Sequence, residues 1–238
     1  MTTDSRLVKF ERRVIADTLA FMSYNPSIGR VLGKEGVRAF AEMAWARDEG
    51  LRRIMSRGAF DHFHAEWTRA VRRRIQTSRG RPCSYGQAQK PINVYLKVYV
   101  DHAGRPDAST ARRLRPFLHV PLDSLLMTAI LKRNPARGGA ALPRMKDFSL
   151  EGLDKRRYLQ WQRFFRQRYA AKPVLFDTVW WLARNRKRVR SGLRKAGTTR
   201  RKAALKRQVA CYDRNIDALV CELCGLTKAE VGSVERSV

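Results

Sequence analysis

Acidic residues are scarce in this chain of 238 residues, which has 21 Asp and Glu against 50 Lys and Arg. The formal net charge of +29 raises the free energy of the folded state, because like charges repel one another. A chain that keeps such a charge usually binds a polyanion, and phosphate backbones are the commonest partners of this kind. The charge balance therefore predicts a nucleic acid as the partner, either DNA or RNA.

Cysteines and long apolar runs are also rare. The four cysteines are too few for a disulfide framework in a chain of this length, which predicts a reducing, cytoplasmic location. No stretch approaches the ~18 uncharged apolar residues of a membrane span, so we predict no membrane association. The amino-terminal sequence also lacks the apolar run of a signal peptide. Hydrophobic residues still make up 44% of the chain, which is enough to bury a core.

A zinc site is the one metal centre that the cysteines suggest. Cys221 and Cys224 have the Cys-x-x-Cys spacing, and Cys211 lies nearby. A structural zinc site needs four ligands, usually two such pairs, and no histidine follows these residues. We therefore predict no metal and no cofactor, and we expect the two cysteines to lie in a helical core.

Apolar residues recur at the helical period over most of the sequence, which predicts an all-α fold arranged as a helical bundle. Residues 93–100 are rich in β-branched and aromatic side chains, but no partner strand is evident, so we predict a helix that starts near Gln87. Another helix should start around Pro121. The stretch 134–147 is the predicted linker, because Gly and Pro interrupt it. Three further helices are expected at about 149–169, 173–191 and 199–224.

The excess positive charge is concentrated in one short segment. Residues 183–210 contain twelve basic and no acidic side chains, and Gly192 and Gly197 indicate two helices joined by a turn. We predict a helical body over residues 1–182 and a basic helical hairpin with a carboxy-terminal cap over residues 183–238. The predicted nucleic-acid-binding residues are Arg184, Arg186, Lys187, Arg188, Arg190, Arg194, Lys195, Arg200, Arg201 and Lys202.

A polar stripe lies on the helix predicted near Gln87. Gln89, Asn93 and Lys97 follow one another at four-residue intervals, so they share one helix face. Amide side chains both donate and accept hydrogen bonds. The stripe therefore fits either a buried hydrogen-bond network or a site for a phosphate or a base edge, and the sequence leaves both open.

The runs YGQAQKPINVYLKVYVD and LRPFLHVPLDSLLM resemble a family of uncharacterised bacterial proteins. Its members have an aromatic-Gly-x-x-Gln-Lys-x-x-Asn-x-x-x-Lys helix, then a His-x-Pro-x-Asp-Ser segment and an acidic-aromatic helix, matched here by LEGLDKRRYLQWQRF. The resemblance covers residues 60–182 and implies a mainly helical fold, without bringing an activity with it. The residues at the family's motif positions are Gln89, Lys90, Asn93, Lys97, His119 and Asp123.

The last residues are similar to the carboxy-terminal tails of restriction-modification methyltransferase and specificity proteins. Those tails read Asp-x-x-Ile-Asp-x-Leu-Val-Tyr-x-Leu-Tyr-Gly-Leu-Thr, and here Cys221 and Cys224 stand where tyrosines are usual. Neither a methyltransferase catalytic motif nor a Gly-rich cofactor loop lies upstream. The resemblance therefore implies helical packing and a DNA context rather than methyl transfer.

Arg57 and His62 have a spacing similar to that of the HEPN ribonucleases, which are helical bundles. In those enzymes the arginine holds the scissile phosphate and the histidine transfers a proton, which makes Arg57 and His62 candidate catalytic residues. Our leading prediction is a non-enzymatic nucleic-acid-binding protein of bacterial phage defence or mobile-element biology. The alternatives are a metal-independent ribonuclease of the HEPN type and an interaction subunit that contacts a protein partner through its carboxy-terminal helices.

Overall fold

The computed structural model describes residues 3–133 and 148–224. Over these residues the chain forms ten α-helices and no β-strand, which confirms the all-α prediction. Shorter helical turns occur at Lys97–His102, Arg115–Phe117 and Pro173–Phe176. The helices are α1 (Thr3–Leu32), α2 (Gly36–Trp45), α3 (Asp48–Arg53), α4 (Arg57–Arg74), α5 (Tyr85–Leu96), α6 (Ala108–Leu114), α7 (Ser124–Arg133), α8 (Lys155–Arg168), α9 (Asp177–Arg194) and α10 (Thr199–Cys224).

Helix α5 is the central helix, because all but one of its residues are buried and it packs against α1, α4 and α8. The Oγ of Ser84 accepts a hydrogen bond from the N–H of Gln87 at 3.2 Å. The Oε1 of Gln87 accepts in return from the N–H of Ser84 at 2.8 Å. This capping box starts α5 at Tyr85, earlier than the predicted start at Gln87. Residues 93–100 are helical, as predicted.

A close backbone approach explains the glycine that follows Tyr85. The N–H of Gly86 donates to the carbonyl oxygen of Leu153 at 2.9 Å, and a Cβ at this position would lie only 2.4 Å from the oxygen of Leu150. The Ser84 Oγ donates to the same Leu150 oxygen at 2.7 Å. The chain just before α8 is therefore held against the start of α5.

The residues around Pro121 are not helical, and α7 begins after them. The helix starts at Ser124 because the Oδ1 of Asp123 accepts the N–H of Leu126 at 2.9 Å, as an N-cap side chain does. Helix α8 also starts later than predicted, at Lys155, where Asp154 caps it. The predicted linker 134–147 and the residues after Cys224 lie outside the described residues, as do the side chains of Cys221 and Cys224.

Buried apolar side chains form two clusters. The first joins α1–α6 around Phe40 and Trp67, and the second joins α7–α10 around Trp161 and Phe165. The predicted basic hairpin corresponds to α9 and α10, which pack against each other and are joined by residues 195–198. The second cluster continues past residue 182 into both helices, through Ala183 and Ile216 among others.

Helix α1 leaves a row of apolar side chains in solvent, with Leu7, Phe10 and Phe21 each more than half exposed. The opposite side of the helix, with Ala16, Ala20 and Tyr24, contributes to the first cluster. Of the helices described, none combines the length and apolar content that crossing a bilayer requires.

Candidate functional site

A buried polar network lies where the two hydrophobic clusters meet. It connects α4, α5 and α8 with the non-helical segment 118–120. Burial of so many polar groups is tolerable only when they satisfy one another's hydrogen bonds. Its central side chains, none more than 2% exposed, are His64, Gln89, Asn93, His119, Tyr158 and Gln162.

A backbone carbonyl fixes the direction of the hydrogen bonds at one end of this network. The Nε2 of Gln89 donates to the oxygen of Gly86 at 2.8 Å, which turns the Gln89 Oε1 toward Asn93. The Nδ2 of Asn93 then donates to that Oε1 and to the hydroxyl of Tyr158 at 2.9 Å. The Oδ1 of Asn93 is left as the acceptor for the Nε2–H of His64 at 2.7 Å.

A carboxylate fixes the direction at the other end. Asp61 accepts two hydrogen bonds from the guanidinium of Arg166, at 2.6 and 2.9 Å, and one from the Nε2–H of His119 at 2.8 Å. The Nδ1 of His119 is therefore an acceptor, and it receives the hydroxyl proton of Tyr158 at 2.6 Å. Gln162 holds the neighbouring backbone by donating to the oxygen of Val120 and accepting its N–H, at 2.9 and 2.8 Å.

The second nitrogen of His64 stands apart from this pattern. Its Nδ1 is buried and has no hydrogen-bond partner. Because the Nε2 carries the proton that Asn93 accepts, the Nδ1 presents a lone pair. The rings of His64 and His119 lie side by side, with their centroids 4.4 Å apart.

Burial keeps both imidazoles neutral. The pKa of His64 is lowered well below its ordinary value, first by burial and then by the proximity of His119. Burial likewise lowers the pKa of His119 to about 4, although the hydrogen bond to Asp61 opposes this effect. Burial raises the pKa of Asp61, but its hydrogen bonds with Arg166 and His119 outweigh that effect, so its pKa is lowered. The network therefore holds a fixed anion and two neutral bases at neutral pH.

A cavity of about 280 Å³ opens beside the network between α4 and α8, and we call it the α4–α8 cavity. Asp61, His64 and His119 contribute to its wall, together with Ala65, Tyr85 and Leu159. It adjoins a second cavity of about 520 Å³ that shares Asp61, Lys155 and Leu159. Two ion pairs border the cavities, Arg69 with Glu66 and Arg166 with Asp61. Three further basic side chains line them: Lys155, Arg156 and Arg163.

The six motif residues of α5 and the segment after it do not form one cluster. Gln89, Asn93 and His119 belong to the buried network, whereas the other three belong to ion pairs. The Nζ of Lys90 lies 3.4 Å from the Oδ2 of Asp123 and 5.4 Å from the ring centre of Trp180. Lys97 pairs with Asp177, the first residue of α9. Through these contacts, α5 positions α7 and α9.

Arg57 and His62 both lie on the amino-terminal half of α4, and both are exposed. His62 contributes to the wall of the α4–α8 cavity, but Arg57 does not line it. The buried histidine of this helix is His64, which faces α5. The catalytic assignment of Arg57 and His62 therefore remains a prediction.

The predicted nucleic-acid-binding residues all lie on α9, on α10 or in the turn between them. Arg186 and Arg190 both pair with Asp213 of α10, Arg190 at 3.6 Å. Arg184 stacks over the ring of Trp180 at 5.2 Å and remains exposed. The others are exposed as well: Lys187, Arg188, Arg194, Lys195, Arg200, Arg201 and Lys202.

Sequence reasoning missed several members of the network, namely Asp61, Tyr158, Gln162 and Arg166. A signal for them is present on α8, where Tyr158, Gln162 and Arg166 follow one another at four-residue intervals. This polar stripe has the same spacing as Gln89 and Asn93 on α5 and Lys97 directly after it. Two such stripes on neighbouring helices can face each other only if the fold brings the helices together, which spacing alone does not reveal.

Comparisons with protein-family models, curated proteins and solved structures give no match. The resemblances described from the sequence therefore remain predictions, and the site is interpreted from its geometry. Across residues 3–133 and 148–224, no group of three His, Cys, Asp or Glu side chains is arranged to hold a metal ion.

Replacing Asn93 with Leu should lower the free energy of unfolding by a few kcal/mol, because Gln89, Tyr158 and the Nε2–H of His64 would lose their partner inside the protein. Chemical denaturation measures this loss. The matched control is Asn215→Leu on the exposed surface of α10, which should change stability far less. Equal stability of the two variants would contradict the interior network.

Stability should also fall between pH 6.5 and about 4. Unfolding returns the pKa of His119 from about 4 to its ordinary value of 6.5, and the pKa of His64 rises on unfolding as well. The unfolded chain therefore binds more protons in this range, so lowering the pH costs a few kcal/mol of stability through His119, and His64 adds a loss of the same sign. Denaturation curves across this range measure the slope, and a flat profile would contradict burial of neutral imidazoles.

Proposed function

We propose that this protein binds nucleic acid through the α9–α10 hairpin. The observation that carries the proposal is the run of twelve basic side chains, without an acidic one, over residues 183–210. Asp213 of α10 pairs with Arg186 and Arg190, which lie on the side of α9 that faces α10. Most of the remaining charge is exposed and available to phosphates.

The exposed charges of α9 form one continuous face. Arg184, Lys187 and Arg188 fall within neighbouring turns on the same side of α9, and Lys195 follows directly after the helix. The side with Val179 and Ala183 is buried in the second cluster, so the basic face points away from the core. A row of cations at this spacing suits successive phosphates of a nucleic-acid backbone, and it carries no base specificity by itself.

We further propose that the protein acts in bacterial phage defence or mobile-element biology, because its last residues are similar to the tails of restriction-modification proteins.

A protein partner that contacts the carboxy-terminal helices is the competing interpretation of the same surface. An acidic protein would satisfy the charge equally well, but it would not leave nucleic acid bound to the purified protein. The ratio of absorbance at 260 and 280 nm, before and after a high-salt wash, separates the two interpretations.

Affinity for duplex DNA should fall steeply with salt. A plot of the logarithm of the binding constant against the logarithm of the salt concentration should have a slope of about −0.9 for each phosphate contact. Replacing Lys187, Arg188, Arg194 and Lys195 with Gln should weaken binding and make the slope shallower, as measured by fluorescence anisotropy. The control replaces four exposed basic residues on other helices, which removes the same charge: Lys9, Arg38, Arg53 and Arg112. If both variants lose the same affinity, net charge and not the hairpin drives binding.

A second candidate function is metal-independent RNA cleavage. The observation that favours it is the placement of His62, His64 and His119 around one cavity whose lining also includes Arg69 and Lys155. Histidine is the side chain that most readily exchanges protons near neutral pH. Both nitrogens of His119 are occupied, however, and neither of the buried histidines is exposed to solvent. Binding without cleavage therefore remains the leading proposal.

RNA cleavage in excess chelator tests this candidate, and under the leading proposal the parent protein should cleave neither single-stranded nor structured RNA. If it does cleave, His62→Ala, His64→Ala and His119→Ala locate the site. Loss in His62→Ala, together with loss in Arg57→Ala, would favour the HEPN-type assignment. Loss in His64→Ala or His119→Ala, with the melting temperature maintained, would move catalysis to the buried network.

A further inference from the structure

One tryptophan of α9 lies in solvent. Trp181 is 55% exposed, whereas Trp180 beside it packs against the second cluster. The other tryptophans of the chain are buried or half-buried. A single exposed apolar side chain is common on protein surfaces, so the meaning of this one depends on where it points and on what surrounds it.

The indole of Trp181 projects from the side of α9 opposite to the core. Val179 and Ala183 are buried in the second cluster, and Trp181 is two residues from each of them. Two residues correspond to about 200° around an α-helix, so the side chain points away from both. Among the described residues, Arg184 lies over the ring of Trp180 and no ring or cation lies over Trp181. A face of the Trp181 indole is therefore available to a ligand.

Arginines surround this indole on the same face of α9. Arg184 and Arg188 follow Trp181 by three and seven residues, and both are exposed. They therefore lie about 60° and about 20° from it around the helix, at ~4.5 and ~10 Å along the helix axis. Long, flexible side chains at these positions reach anions on either side of a group that is stacked on the indole.

The carboxylates of the same helix do not offset these arginines. Asp177, at the start of α9, is 6% exposed and pairs with Lys97. The next acidic residue along the chain is Asp213, which pairs with cations on the side of α9 that faces α10. Helix α9 consequently presents an aromatic ring among cations and no accessible carboxylate on its exposed face.

A single-stranded nucleic acid supplies both chemistries that this face requires, a flat ring and an anion on each side of it. Stacking of a base on an aromatic side chain accepts any base, because every base has a π face. Arginines beside the stacked base contact the backbone phosphates. In a duplex, each base is paired and stacked on its neighbours, so the indole cannot reach its flat face.

We propose that Trp181 stacks on an unpaired base of a single-stranded nucleic acid, while Arg184 and Arg188 contact the phosphates on either side of that base. This inference rests on the proposed nucleic-acid binding and adds a preference for single strands to the basic face of α9. The stacking carries no strong sequence preference, since it uses the face of the base and not its edge.

The first test compares an oligothymidylate with a duplex of the same length, at one salt concentration, by fluorescence anisotropy. Trp181→Ala should weaken binding of the oligothymidylate about tenfold, the effect of one lost stacked base, and leave duplex affinity nearly unchanged. Trp181→Phe keeps an aromatic ring and should retain most of the single-strand affinity. The control is Phe21→Ala on α1, which removes a ring that is also 55% exposed and should affect neither ligand.

The second test removes the bases and keeps the phosphates. An abasic strand of the same length should bind the parent protein about tenfold more weakly than the oligothymidylate, whereas Trp181→Ala should bind both strands equally. The emission of Trp181, taken as the difference between the parent and Trp181→Phe, should be quenched by the oligothymidylate and not by the abasic strand. Equal affinity of the parent for the two strands would overturn the proposal, as would equal losses of single-strand and duplex affinity in Trp181→Ala.

The stacking proposal and the hairpin proposal fail in different ways. The hairpin variant, with Lys187, Arg188, Arg194 and Lys195 replaced by Gln, should lose affinity for duplex and single strand alike. If it does so but Trp181→Ala binds the oligothymidylate as tightly as the parent, the stacking proposal fails alone. If Trp181→Ala loses only single-strand affinity and the hairpin variant keeps its duplex affinity, the hairpin proposal fails and the stacking stands. A parent protein that binds neither ligand overturns both.

Discussion

The carboxamide of Asn93 is the group on which the arrangement of the site depends. It is buried between three helices, where it accepts from His64 and donates to Gln89 and Tyr158. Its orientation follows from Gln89, which the carbonyl of Gly86 fixes in turn. Because a neutral imidazole can donate from only one nitrogen, this sequence of hydrogen bonds decides that the Nδ1 of His64 is the free acceptor. Backbone geometry at the start of α5 thereby determines which nitrogen of a buried histidine on α4 carries the proton.

The same helix relates the network to the basic hairpin. Lys97 pairs with Asp177 at the start of α9, and Lys90 lies over Trp180 one turn further along. Because the Lys97–Asp177 pair is largely buried, separating its charges would cost free energy. This pair therefore holds α9 in one position against α5. The hairpin then packs its apolar side into the second cluster and turns its basic face to solvent. The basic face of the hairpin and the buried network are consequently parts of one packed arrangement.

The network also explains why the two hydrophobic clusters meet through polar side chains. A hydrogen bond adds little net stability, but leaving one buried partner unpaired is expensive. The network therefore selects one relative placement of α4, α5 and α8 more than it strengthens that placement. Such directionality suits a binding site, because a cavity wall keeps its shape only when its side chains have one arrangement.

The sequence alone determined the helical class, the basic run over residues 183–210 and the polar stripe of Gln89, Asn93 and Lys97. These features are local, since periodicity and charge density are properties of neighbouring residues. Only the tertiary structure decided that Lys97 leaves the stripe to pair with Asp177, and that His64, not the exposed His62, contacts Asn93. Asp61, His119, Tyr158 and Arg166 meet across 39–105 residues of chain. Such contacts depend on how α4, α5 and α8 pack, and helical spacing specifies the face of each helix but not its neighbour.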